Sequence, residues 1–363
     1  MENKYFNMKH CKLLFILCLL LQISCGKGPD ILVDVKEVDF KNKSEILLEG
    51  KKVDIEVLGA GNMILYDTLL FFSTDNPEGQ LEIYSTNTLD YLGSFCKAGG
   101  ARNEMLQAFF ASEQVVERDG HQYLLMIDAP NILKEFDITE SLKSGLTVLS
   151  DSKECLSMRD GEFVLLGNDY DNRLEFLRDW NYDGTNVNEL PTKYTVYNNG
   201  KGKEIKLFNR LMNIETPNKT NAYAGSLMKR HNKIFVIQSF IRMDYLLFMD
   251  FDSDNIFAVH QKGSISFNDT YLGSKATNPL HFTDGAQSSD YVMYLYWQGK
   301  YTQKITEGRW FPELLVFDWQ GNFVSGYRMD RCIITIEYDE QHSLLYGLTE
   351  DEEVFVYDMS NYL

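Results

Sequence analysis

Two aromatic-rich stretches hold the side chains best suited to gripping a ligand. One carries Trp180, Tyr182 and Asp183, with Asn181, Asn186 and Tyr194 nearby. The other carries Trp297, Lys300, Tyr301, Arg309 and Trp310, with Gln298 among them. An aromatic face stacks on a sugar ring or an extended peptide, and neighbouring amide and charged groups add directed hydrogen bonds. Three of the chain's four tryptophans fall in these stretches, the fourth being Trp319. The competing explanation is that the aromatics pack each stretch onto a sheet beneath it. Long loops on a rigid scaffold are where binding usually sits. The candidate ligand- or partner-binding set is therefore Trp180, Tyr182, Asp183, Trp297, Lys300, Tyr301, Arg309 and Trp310.

Other constellations do not reach a chemistry. Asp250-Phe251-Asp252-Ser253-Asp254-Asn255 alternates carboxylates like the start of a calcium loop. Such a loop needs Gly at its sixth position and Glu at its twelfth, where this chain has Asn255 and Gln261. A hairpin turn accounts for the run, and for Asn168-Asp169-Tyr170-Asp171-Asn172 as well. His10, His121, His231, His260, His281 and His342 never pair with a second His or Cys at ligand spacing. There is no phosphate-cradling glycine loop and no nucleophile elbow. With 53 Asp and Glu residues, a glycosidase pair cannot be picked out by spacing. No catalytic residue, metal or cofactor is assigned.

One cysteine does have a chemistry. Lys9 and Lys12 precede the uncharged run Leu13-Leu14-Phe15-Ile16-Leu17-Cys18-Leu19-Leu20-Leu21, which has the length of a secretory signal. It is shorter than the about 20 apolar residues of a membrane span. It ends in Leu21-Gln22-Ile23-Ser24-Cys25, which resembles a bacterial lipobox. That resemblance implies diacylglycerol on the Cys25 sulfur and cleavage after Ser24, leaving several acyl chains to hold the protein on a membrane. An ordinary secretory signal with an incidental cysteine is the competing account.

After Cys25, 338 residues remain, enough for one large domain or two ordinary ones. The formal charge is −18. Such a body repels nucleic acid, and no basic stripe offers itself to phosphates. Cys96, Cys155 and Cys332 remain after the signal and anchor, widely spaced and odd in number. Three structural thiols are expected rather than a disulfide framework.

The elements that must carry these residues are short strands. Tyr and Phe number 21 and 23, and apolar runs are broken repeatedly by turn residues. A strand ending in an aromatic, usually followed by Asp, recurs at Leu81–Ser85, Leu133–Asp137, Leu174–Phe176, Leu246–Asp250, Leu315–Asp318 and Val354–Asp358. Partner strands are expected at Met63–Ser73, Gln122–Asp128, Glu162–Gly167, Lys233–Phe240, Tyr291–Trp297 and Ser343–Leu348. Short helices are expected around Glu104–Phe110 and Ile138–Lys143. Six similar sheets in one chain predict an all-β fold, a six-bladed β-propeller of antiparallel blades, because a ring buries both faces of every small sheet. A β-sandwich is the alternative. Lys52–Leu58 lacks a hairpin partner and is expected to join the last blade, closing the ring with strands from both termini. The expected division is 1–24 signal peptide, 25–50 lipidated tether and 51–363 propeller, with insertions at Asp179–Ala222 and Trp297–Pro312.

Two further stretches carry a family resemblance. Tyr91-Leu92-Gly93-Ser94-Phe95-Cys96-Lys97-Ala98-Gly99-Gly100-Ala101-Arg102-Asn103-Glu104 resembles a strand and loop of the TolB-like six-bladed β-propeller lipoproteins, with Gly99, Asn103 and Glu104 fitting. Leu314-Leu315-Val316-Phe317-Asp318-Trp319-Gln320-Gly321-Asn322-Phe323, then Tyr327-Arg328-Met329-Asp330, is similar to that family's hairpin and its exit. Tyr294-Leu295-Tyr296 before Gly299-Lys300 is similar to one of its strand ends. The resemblance implies a propeller lipoprotein of the periplasm or cell surface and supplies no activity. The expected function is a non-enzymatic binding module for a protein or glycan, lipid-anchored in a Gram-negative envelope at the outer membrane, on its periplasmic or surface face. The alternatives are a polysaccharide hydrolase or lyase and a subunit of an envelope complex. Cells fed labelled palmitate should label the wild type and not Cys25→Ala, which should leave the membrane fraction; an unlabelled wild type would overturn the anchor.

Overall fold

The computed structural model describes residues 32–150, 153–157, 160–178, 192–208, 223–231, 233–263, 279–301 and 310–363. Three short strands open this part of the chain: β1 (Val35–Val38), β2 (Ile46–Leu48) and β3 (Lys51–Glu56). They pair with three different sheets rather than with one another. Blade one is a four-stranded meander of β4 (Asn62–Tyr66), β5 (Leu69–Ser73), β6 (Leu81–Ser85) and β7 (Tyr91–Phe95). Blade two is built from β8 (Ala108–Arg118), β9 (His121–Asp128), β10 (Ile132–Asp137) and β11 (Lys153–Glu154). Blade three follows with β12 (Gly161–Leu165), β13 (Arg173–Arg178), β14 (Thr192–Asn198) and β15 (Lys201–Ile205).

Blade four comprises β16 (Gly225–Lys229), β17 (Phe235–Phe240), β18 (Tyr245–Asp250) and β19 (Asn255–Gln261), with β1 added in parallel to β19. Blade five comprises β20 (Pro279–Gln287), β21 (Tyr291–Tyr301), β22 (Glu313–Asp318) and β23 (Phe323–Met329), with β2 added in parallel to β23. Blade six is β24 (Ile333–Asp339), β25 (Leu344–Thr349) and β26 (Glu353–Asp358), completed by β3. The chain is thus a six-bladed β-propeller whose ring is closed by strands from both ends. Inner strands β8, β12, β16, β20, β24 and β4 approach one another around the axis.

The blades wedge together through apolar faces. One buried cluster joins Phe176 and Tyr194 of blade three to Val236 and Leu247 of blade four. The next joins Ile237 and Phe248 to Phe282, Tyr296 and Phe317 of blade five. Period-2 alternation sends alternate residues of each middle strand into opposite interfaces. The only described α-helix, α1 (Ile138–Ser144), packs beside β9 and β10. Asp137 caps its N-terminus by accepting from the Glu140 N–H, and Gly145 ends it at φ 68°. Among the described residues no helix is long and apolar enough to cross a membrane.

Several expectations change. Glu104–Phe110 is not helical. The Leu106 and Gln107 amides donate to Asp128 Oδ1 at 2.7 and 3.3 Å, leading the chain straight into β8. The Asp179–Ala222 stretch is only partly an insertion, because it contains β14 and β15. The recurring strand pair falls on second and third strands in most blades, but in blade three it falls on the first and second. Cys96 and Cys155 are buried free thiols and Cys332 a half-buried one.

The larger change concerns residues 25–50. From Leu32 onward this stretch is a strap fixed to the outer rim, not a loose tether. Leu32, Phe40 and Leu48 recur every eight residues and are 0%, 0% and 2% exposed. Each plugs a successive interface: blades three and four, four and five, five and six. Phe40 meets Tyr296 and Phe317 edge-on, with centroids 5.4 and 5.5 Å away. The Phe40 and Lys41 amides both donate to Gln261 Oε1, at 2.9 and 2.6 Å. The three buried residues stand eight apart among charged neighbours, a spacing that matches neither a strand face nor a helix face. Phe40→Ala should lower unfolding free energy by about 3–5 kcal/mol in urea titration, whereas Ile46→Ala, on the exposed side of β2, should stay within about 0.5 kcal/mol.

Candidate functional site

A propeller's inner strands each have one backbone edge with no strand beside it, and buried amide and carbonyl groups must find other partners. Here side chains span the gap at every junction of the ring. Ser73 Oγ donates to the Ala108 carbonyl (3.1 Å), and Gln80 Oε1 accepts from the Ala108 N–H (2.8 Å). Gln114 acts as an artificial strand between blades two and three. Its Oε1 accepts from the Leu165 N–H (2.7 Å) and its Nε2 donates to the Leu165 carbonyl (3.1 Å). Gln287 repeats this between blades four and five, accepting from the His231 N–H (3.1 Å) and donating to the Lys229 carbonyl (2.8 Å). Thr335 Oγ1 donates to Asn62 Oδ1 across the last junction (3.3 Å).

The two remaining junctions use carboxylates. Glu162 Oε2 accepts from the Leu227 N–H at 3.1 Å, joining β12 to β16. Asp284 Oδ2 accepts from the Ile336 N–H at 2.7 Å, joining β20 to β24. Both line a cavity of about 240 Å³ at the hub. Arg178 shares it with them, as do the polar side chains of Asn62, Ser112 and Ser226. Phe110, Phe163, Met228 and Tyr294 supply its apolar wall.

Irregular backbone shapes this hub. Ser112 has φ 48°, a left-handed conformation uncommon outside glycine, and it sits where β8 loses register with β9 between Phe110 and Val115. Its hydroxyl donates to the Phe163 carbonyl. β20 shifts register against β21 between Phe282 and Gly285, flanking Asp284. A Cβ on Gly285 would stand 2.5 Å from the Tyr294 ring. Glycine there lets the two strands close around the carboxylate.

Burial governs the charge state. It raises the Glu162 carboxyl from 4.5 to about 7, although Arg178 and the Leu227 amide favour the anion. It raises Asp284 from 3.8 to about 6 against hydrogen bonds from Thr335 and the Ile336 and Gly285 amides. Near neutral pH the cavity therefore holds an exchangeable proton beside a fixed guanidinium. Among the described residues no cluster of His, Cys, Asp and Glu is arranged to hold a metal. His281 is also buried, 3.8 Å from Asp244, and desolvation pulls it down to about 3, so its imidazole is neutral.

The residues singled out from sequence lie elsewhere. Trp297 is 4% exposed, and its indole N–H donates to Thr283 Oγ1 at 3.0 Å, so its ring faces the protein interior. Lys300 and Tyr301 belong to the end of β21, in register with Leu280 and Pro279. Trp310 is 38% exposed and precedes the exposed Phe311. Tyr194, from the first stretch, is buried in β14 with its hydroxyl on Gln238 Oε1. Trp297, Trp310 and Tyr194 do not line the hub cavity. Cys25, Trp180, Tyr182, Asp183 and Arg309 lie outside the described residues. The hub carboxylates went unselected because each is one acid among 53. The available signal was a lone acid in an otherwise apolar first strand, as in Gly161-Glu162-Phe163-Val164-Leu165.

Comparison with known proteins agrees on the fold. No family model matches the chain, and no curated protein matches it. Among solved structures, a Bacteroides fragilis NCTC 9343 protein named for its predicted export aligns over 89% of this chain and 98% of its own, at TM-score 0.51 and 9% identity. The β-propeller domain of Cps50 (Swd1) from Myceliophteria thermophila aligns over 85% of this chain and 99% of its own, at TM-score 0.41 and 11% identity. These likenesses concern architecture alone.

The raised carboxyls make a pH signature. Between their ordinary and folded values the folded chain holds more protons than the unfolded chain. Stability from these groups is therefore full below about pH 4 and is lost as pH rises toward 7. Glu162→Gln keeps an acceptor for the Leu227 amide. It should be more stable than wild type by up to about 3 kcal/mol at pH 8 and by almost nothing at pH 4. Urea unfolding at both pH values measures this; a gain equal at both would show that burial of the charge is not the cause.

Proposed function

We propose that this chain is a lipid-anchored binding module of the Gram-negative envelope, non-enzymatic and of the TolB-like propeller kind. Its hub cavity is the ligand site, and the ligand is the terminal unit of a glycan. The reading rests on one observation: two of the six inter-blade bridges at the hub are carboxylates, Glu162 and Asp284, that line one cavity and whose burial disfavours their anions. An amide bridges as well, as Gln114 and Gln287 do. Groups retained at a cost to stability are characteristic of binding and catalytic sites.

The dimensions and lining support a sugar. About 240 Å³ is below the roughly 300–1,000 Å³ of pockets for drug-sized ligands, which suits a single ring. Phe110, Phe163 and Tyr294 provide apolar and aromatic faces, and Glu162, Asp284, Arg178 and Asn62 provide directed polar groups. The anchor at Cys25 would keep such a receptor at the envelope, where glycans are abundant. The resemblance at Leu314–Phe323 supports the TolB-like assignment.

One observation favours a second reading, a glycoside hydrolase or lyase. Two carboxyls that exchange protons near neutrality share one enclosed site, which is how an acid–base pair is poised. Turnover of a polysaccharide or glycoside panel, with a pH–rate profile lost in Asp284→Asn, would establish it.

A glycan array followed by calorimetry tests the leading proposal. The wild type should bind a glycan without consuming it. Glu162→Gln and Asp284→Asn should each weaken binding about tenfold or more, as loss of a charged hydrogen bond does. Trp310→Ala should leave affinity unchanged. If Trp310→Ala abolishes binding while both hub variants bind normally, the ligand surface is the loop and not the hub.

A further inference from the structure

The outer edge of blade three carries a charge unlike the rest of the molecule. Lys193 on β14, Lys201 and Lys203 on β15, and Lys206 just beyond it are all exposed. Antiparallel pairing places Lys201 opposite Asn198 and Lys203 opposite Val196. Glu204 is the single acid in β15. Asp171, near the β14–β15 turn where it accepts from the Gly200 N–H, pairs with Lys153 at 3.3 Å. Among the described residues no ion pair engages the four lysines. This edge is locally basic on a chain whose formal charge is −18.

Its position gives the charge a meaning. The strap enters the fold against the end of this same strand. Leu32 bridges to Phe208, and the Val33 N–H donates to the Leu207 carbonyl at 3.0 Å. Cys25 is seven residues before Leu32. Seven residues span at most about 25 Å when fully extended. A lipid on Cys25 would thus hold the rim at blade three near the bilayer. Strongly acidic protein brought so close to an anionic surface is repelled unless the nearest edge is basic.

We propose that the lysine edge of β14 and β15 lies on the anionic phospholipid surface and sets the propeller rim-on to the membrane. The inference rests on the anchor reading for Cys25. It makes the anchor and the lysines one device: lipid supplies retention and the lysines supply orientation. Blade six, on the far side of the ring, is then turned away from the bilayer.

Quenching of a fluorophore by a spin-labelled lipid headgroup reads this orientation. In a Cys332→Ser background, the dye is attached at Asn198→Cys beside the lysines or at Asp54→Cys on β3. Lipidated protein is reconstituted in phosphatidylglycerol-containing or pure phosphatidylcholine vesicles. Quenching at position 198 should exceed that at 54 by about threefold or more on anionic vesicles, since the surface potential acts only within a Debye length. The excess should vanish on phosphatidylcholine and in Lys193→Glu/Lys201→Glu/Lys203→Glu/Lys206→Glu. Equal quenching on anionic vesicles, or an excess that survives the charge reversal, overturns the proposal. A chain recovered without lipid would refute the anchor alone. The same cysteine variants, with a histidine tag in place of residues 1–25 and held on nickel-chelating vesicles, would then still decide the role of the lysines.

Discussion

The innermost strand of each blade has an edge with no neighbouring strand, and six such edges converge on one axis. Their amides and carbonyls are too buried to rely on bulk water and too far apart to form a ladder. Everything at the hub follows from meeting that demand. Side chains from one blade reach the backbone of the next at Ser73 and Gln80, Gln114, Glu162, Gln287 and Asp284, and the side chains of Asn62 and Thr335 meet across the last junction. These bonds fix the angular relation of the blades where the apolar wedges are thinnest. They also hold the walls of the cavity apart, since a reaching side chain keeps two strands at its own length.

The rim faces the opposite problem. Outer strands expose a free edge to solvent and to other chains, a hazard that natural sheets cover or charge. This protein uses both solutions. The strap covers blades four and five with β1 and β2 before supplying β3 to blade six. Blade three, ahead of the strap, is left with lysines along its edge. Because Leu32, Phe40 and Leu48 each enter a different interface, the strap ties blades three to six into one cooperative unit. Ile55 of β3 and the following Val57 enter the six–one interface beside Phe72 and Leu348. Blade two holds to its neighbours through the clusters around Phe71, Phe95 and Phe136 on one side and Leu125, Ile127 and Phe163 on the other.

Legibility in the sequence followed from which physical rule each segment obeys. Middle strands are buried on both faces, so Leu246–Asp250 and Leu315–Asp318 stand out as apolar runs, and their recurrence was enough to give six blades and the closing strand. Inner strands obey a mixed rule. They face a partly polar cavity on one side, carry bulges near Ser112 and Phe282, and break the period that marks a strand. The helix expected at Glu104–Phe110 thus overlaps the start of β8 at Ala108–Phe110, and Glu162 and Asp284 look like any other acids. The strap was opaque for another reason. Its deepest anchors are three separated residues whose partners are more than a hundred residues away, as Phe40 with Gln261 and Phe317 illustrates. Trp297 failed in the opposite sense: an aromatic at the end of a strand looked available, but the strand continues to Tyr301 and the indole folds onto Thr283.

The choice between amide and carboxylate at the hub separates scaffold from site. Gln114 and Glu162 occupy comparable places, each on the inner strand of one blade and bonded to a backbone amide of the next. Glutamine satisfies both a donor and an acceptor, stays neutral and needs no counter-charge. Glutamate satisfies one amide, must be desolvated, and draws on Arg178 to remain an anion even part of the time. Were bridging the whole task, the amide would be the better residue at both junctions. What the carboxylate adds is an acceptor of adjustable charge facing a space large enough for another molecule. A hydroxyl or amine entering that space would restore the hydrogen bonds that burial removes, so occupancy and stability should rise together. On the proposed reading, Arg178, Glu162 and Asp284 would set the terms on which a ligand enters the hub.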